Sequence, residues 1–196
     1  MGSDELTPLD IELIKENVEY LNQEFEGFLT FSIGSIDHSS LGGHIPDLYS
    51  DYLNRDSKRL RQLVLPVEKR GSINVYLFDT YRNAGENAAM MGFTPILKDK
   101  PQVYGFNSPR FDRVYMAYRG LVDKTTLVHE MGHFFGLEHP WEMTKRQLSA
   151  LGLNTSTKNR NHMTYEEGVD HFTENQLSSM RQFAMSYRKY LLARNQ

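Results

Sequence analysis

Residues 129–139 read His-Glu-Met-Gly-His-Phe-Phe-Gly-Leu-Glu-His, and no other segment limits the possible folds of this chain as strongly. On an α-helix, His129 and His133 lie about one turn apart and project from one face. Two imidazoles so placed can reach a single ion at about 2.0–2.1 Å each. Glu130 stands beside that face, close to the ion's open position without being a ligand. Gly136 lets the chain leave the helix through a left-handed conformation that a side chain resists. The turn then brings His139 back as third ligand. Three neutral imidazoles leave a zinc ion its full charge and an open fourth position, the arrangement of a catalytic site and not of a closed structural one. A chance His-Glu-x-x-His in a chain of this composition has odds of roughly two in a hundred, and requiring Gly136 and His139 as well lowers them by a further factor of roughly four hundred.

The chain has no cysteine, which excludes disulfides, thiolate ligands and a cysteine nucleophile. Any transition-metal site must therefore be built from His and carboxylates. With 196 residues, 39% hydrophobic and 24% charged, the chain has the size and composition of one compact domain. A net charge of −3 gives no reason to expect nucleic acid or an anionic membrane as partner. No apolar run is long enough for a membrane span. Met1-Gly2-Ser3 reads as an expression scar, which is compatible with a leader removed upstream.

Periodicity outlines the elements. Ile11, Ile14, Val18, Leu21 and Phe25 recur at helical spacing and predict a helix over 9–26, stopped by Gly27. Leu29, Phe31 and Ile33 alternate with polar residues and predict a strand. Residues 35–57 read as loop, and Leu60 to Val67 fits either element. Ser72 to Phe78 and Arg113 to Tyr118 predict strands, and Thr125 to Phe135 predicts the metal-bearing helix. A short helix is expected over 144–151, with Thr144 and Gln147 spaced as a capping box. The last helix is expected from Thr173, with Gln176 in the same relation, through to Leu191. The order predicts a mixed α/β (α+β) domain with a small sheet.

Downstream of His139, Asn161-His162-Met163-Thr164-Tyr165 supplies the methionine turn that accompanies the long form of this motif. With that turn the chain resembles a metzincin, and within that clan it is most similar to the pappalysin family, which includes the bacterial ulilysin-like enzymes. The likeness extends over nearly the whole chain: Leu21-Asn22-Gln23-Glu24-Phe25, the strand from Ser72, Gly92-Phe93-Thr94-Pro95, the strand from Asp112, Thr126-Leu127 before the motif, and Phe172-Thr173 with Gln176 and Met180. The resemblance implies that His129, His133 and His139 ligate one zinc ion and that Glu130 is the general base. It implies that Met163 is the turn methionine, the apolar floor of the site, and that Tyr165 matches the tyrosine after it, with its phenol turned to the metal or to the substrate oxyanion. It further implies a single catalytic domain over 1–196. Its upper subdomain, about 8–136, would hold a twisted mixed sheet and two helices. Its lower subdomain, about 137–196, would be irregular and end in a helix. An extended substrate would pair with an edge strand, either Met91 to Pro95 or Tyr104 to Ser108. The family's acidic calcium loops have no counterpart in residues 151–162, which contain no acid, and this counts against calcium. Nor does the chain show a propeptide or a cysteine latency switch.

The expected activity is zinc-dependent endopeptidase cleavage of proteins or peptides, by a monomer that is secreted, periplasmic or at the cell surface. The alternative is a catalytically silent zinc-binding interaction module on the same scaffold. Glu166, Glu167 and Asp170, just past the methionine turn, suggest a preference for a basic residue after the scissile bond. His38, His44, His162 and His171 read as surface or structural histidines, and Pro140 and Trp141 as packing residues.

Overall fold

The computed structural model describes residues 6–38, 62, 64–78, 92–94, 113–153, 161–164 and 171–192. Among these the architecture is four α-helices and a three-stranded sheet. The helices are α1 (Pro8–Glu24), α2 (Thr125–Phe134), α3 (Lys145–Ala150) and α4 (Glu174–Tyr187). The strands are β1 (Asn74–Phe78), β2 (Gly92–Phe93) and β3 (Arg113–Ala117). No helix is long and apolar enough to cross a membrane.

Three of the four helices, α1, α3 and α4, begin at a threonine whose side chain satisfies one of the first free amides. Thr7 caps α1 in a reciprocal box with Asp10, and Pro8 opens the first turn. The expected boxes of Thr144 with Gln147 and Thr173 with Gln176 both form. The last helix stops at Tyr187 and continues as a 3-10 turn over Lys189–Leu191, so its regular part is shorter than the periodicity suggests.

β3 is the middle strand. It runs parallel to β1, with Val114 opposite Val75, and antiparallel to β2, with Met116 opposite Gly92. All five of its residues are buried, as expected of a strand covered on both faces. β2 lies at one edge of the described sheet, within the Met91–Pro95 stretch preferred as edge strand. The other candidate edge, Tyr104 to Ser108, lies outside the described residues.

Leu29 to Ile33, expected as a strand, is not one in the structure; residues 29–38 join no ladder among the described residues. Here a side chain takes the place of a partner strand. Asn22 Nδ2 donates to the Phe31 carbonyl at 3.0 Å, and the Phe31 amide donates to Asn22 Oδ1 at 2.7 Å. The Phe31 ring meets Phe25 edge-on at 5.3 Å. With its backbone satisfied and its ring anchored, Phe31 gains nothing from sheet pairing. Phe25 also contacts Phe28, Phe135 and Phe172. This aromatic cluster ties the end of α1 to the exit of α2 and the approach to α4.

Candidate metal centre

α2 is buried along nearly its whole length, from Thr126 to Phe134. It ends in a Schellman motif: the Leu137 amide donates to the Gly132 carbonyl and the Gly136 amide to the His133 carbonyl, both at 2.9 Å. The motif needs a positive φ, and Gly136 has φ +90°. A Cβ at Gly136 would also lie 2.6 Å from the Phe183 ring. The reversal does more than end the helix. It turns the Leu137 carbonyl towards His133, which donates to it from Nδ1 at 2.8 Å.

The other two histidines are held in the same way. His129 Nδ1 donates to the His162 carbonyl at 2.6 Å, and His139 Nδ1 faces Glu142 Oε2 at 3.3 Å. An oxygen opposite each Nδ1 places the proton there and leaves the Nε2 lone pairs for a metal. Those Nε2 atoms converge: His133 to His139 is 3.0 Å and His139 to His129 is 3.3 Å. Ligand atoms around a tetrahedral ion with bonds of about 2.0–2.1 Å stand about 3.3 Å apart, so the spacing fits. Three neutral imidazoles turning lone pairs on one another is an arrangement that a cation between them relieves. The three rings are buried, and burial lowers His129 to about 4, which keeps it neutral and ready to ligate. The group is able to hold a metal ion.

Glu130 is buried too. Its Oε2 accepts a hydrogen bond of 2.7 Å from the Thr94 hydroxyl, just past β2. Burial raises its carboxyl to about 8, and the Thr94 hydrogen bond opposes the rise. Its Oε1 lies beside Gly92, where an added Cβ would be 3.2 Å away. The edge strand therefore packs directly against the acid.

Met163 is fully buried, and a Cβ on Gly132 would overlap its sulfur, so the thioether lies against α2 between the turns that carry His129 and His133. The turn that carries it is fixed by an amide pair: Asn161 Nδ2 donates to Gln176 Oε1 at 2.8 Å, and Gln176 Nε2 donates to Asn161 Oδ1 at 3.0 Å. The same turn presents the His162 carbonyl to His129.

His129, His133, His139, Glu130, Gly136 and Met163 thus come together. Tyr165, Glu166, Glu167 and Asp170 lie outside the described residues. Trp141 differs from the expectation of lower-subdomain packing. It is 57% exposed and stacks on the His139 ring at 4.3 Å and 11°. Its place two residues after His139, in the 3-10 turn Pro140–Glu142, holds the indole beside the imidazole it follows. Thr94, Glu142 and the His162 carbonyl were not identified from sequence. Thr94 and the carbonyl act on helix residues more than thirty positions away, which leaves no local signal; only Glu142, three residues from His139, had one.

Comparison with protein-family models, with curated proteins and with solved structures finds no match.

Proposed function

We propose that the chain is a zinc-dependent endopeptidase of metzincin type, with His129, His133 and His139 as ligands and Glu130 as general base. The observation that carries this reading is the convergence of three Nε2 atoms whose Nδ1 partners are all oxygens, on a helix that also carries Glu130. Zinc bound there would supply Lewis acidity, acidifying water and polarising a carbonyl.

The chain's own groups account for the rest. Thr94 holds Glu130 Oε2, so Oε1, beside Gly92, is the atom that takes a proton from attacking water. Having taken that proton, Glu130 delivers it to the leaving amine. Tyr165, following Met163, donates to the oxyanion developing on the substrate. β2, at one edge of the described sheet and close to Glu130, is where an extended peptide adds as a strand. The metzincin division into upper and lower subdomains, with a cleft open at both ends, suits internal cleavage.

The test is hydrolysis of casein or a quenched peptide with and without chelator. Glu130→Gln should keep about one zinc at the three histidines and lose about two or more orders of magnitude in rate. His139→Ala should lose that metal as well as activity. If zinc-loaded parent protein cleaves nothing, a silent zinc-binding module replaces this reading.

A further inference from the structure

A second convergence of ligand atoms lies behind the first, at the end of α1. Glu24 Oε2 is 2.9 Å from His162 Nε2 and 2.8 Å from His171 Nδ1. The three come from segments 138 and 147 residues apart. The Glu24 and His162 side chains are 5% and 0% exposed, whereas His171 is 79% exposed.

We infer that Glu24, His162 and His171 form a second divalent transition-metal site, separate from the three-histidine centre. Two imidazole nitrogens and one carboxylate oxygen are a donor set that suits zinc and its neighbours. Both nitrogens stand close to one oxygen, and their ligand atoms all lie within 4.8 Å of one another. A tetrahedral ion at about 2.0–2.1 Å needs ligand atoms about 3.3 Å apart, so each contact has to open by only a few tenths of an ångström. Electrostatics favours the exchange. A cation placed there is met by a buried carboxylate and two neutral imidazoles, and the protons that now bridge them are released on binding. The exposed His171 provides the way in, since its ring can swing towards solvent and close behind the ion. His162 links the two sites, because its ring belongs to the second while its carbonyl orients His129 of the first. The second ion acts as a staple between α1 and the methionine turn.

The experiment is a calorimetric titration of chelator-stripped full chain with zinc, with metal per chain measured after gel filtration. The parent should bind about two zinc ions, the second with Kd below about 10 µM. His171→Ala, at an exposed position that leaves the core intact, should bind about one. His139→Ala should also bind about one, held at the second site, and the double variant His139→Ala/His171→Ala none. Zinc added to His139→Ala protein should raise its melting temperature, and the same addition to the double variant should not. A parent that binds a single zinc, or a His139→Ala protein that binds none while remaining folded, overturns the second site and leaves the three residues as a hydrogen-bonded clamp.

Discussion

His129 and Glu130 are neighbours on one helix, both buried, and burial pushes them in opposite directions. His129 falls to about 4 from 6.5, with the loss of solvent as the chief cause. In metal-free protein the unfolded chain then binds the extra proton between those values, so this contribution is complete above 6.5 and is lost as pH falls towards 4. Glu130 rises to about 8 from 4.5. Its folded form keeps a proton that the unfolded chain has released, so its contribution is complete below 4.5 and is lost as pH rises through 8. Glu130→Gln removes only the second effect. Between about pH 5 and about pH 9, chelator-treated Glu130→Gln should gain about 3–5 kcal/mol over the parent in urea unfolding. A difference that stays flat across that range would contradict a buried, proton-holding acid. Tyr165→Phe tests the proposed role of Tyr165 at the oxyanion. It should lower kcat by about one to three orders of magnitude with zinc content unchanged, and a kcat within about twofold of the parent would make Tyr165 a packing residue.

At the scale of elements, the exit of α2 does two things. It reverses the chain so that His139 returns to the site, and it delivers the Leu137 carbonyl that orients His133. Gly136→Ala should disturb both, because the alanine is strained at φ +90° and its methyl meets the Phe183 ring at 2.6 Å. A loss of about 2–4 kcal/mol in urea unfolding is expected, with weakened zinc retention. Unchanged stability and full zinc content would show that α4 yields around the methyl. The motif's spacing already implied this turn, as the two threonine–glutamine boxes implied the starts of α3 and α4. Leu29 to Ile33 misled for a physical reason. Alternation reports which side chains face inward, whereas a strand also needs a backbone partner. Asn22 filled that role with two hydrogen bonds.

For the whole molecule, the sheet depends on a pair that no motif announces. Arg113, at the start of β3, forks onto Glu68 through Nε at 2.8 Å and Nη2 at 2.9 Å, with the two side chains 2% and 5% exposed. Removing one partner leaves the other charge buried. Arg113→Leu should cost about 3–5 kcal/mol in urea unfolding, and adding Glu68→Leu should recover most of it. A double variant as unstable as the single one would show that the loss comes from packing and not from the stranded carboxylate.

The histidine triad able to hold a metal, the neighbouring acid, the glycine exit and the turn at Met163 were legible in the chain because each depends on short fixed spacings, set by helical rise and turn geometry. The same local rules exposed β1, β3 and most helix limits. Only the tertiary structure decided the rest: the sheet order, with β3 central and β2 outside it, the hydroxyl of Thr94 on Glu130, the His162 carbonyl on His129, and the meeting of Glu24 with His162 and His171. These depend on contacts between residues tens to more than a hundred positions apart. Such contacts are chosen by the common packing of α1, α2 and α4 around Phe25 and Met163, and they leave no periodic trace in the sequence.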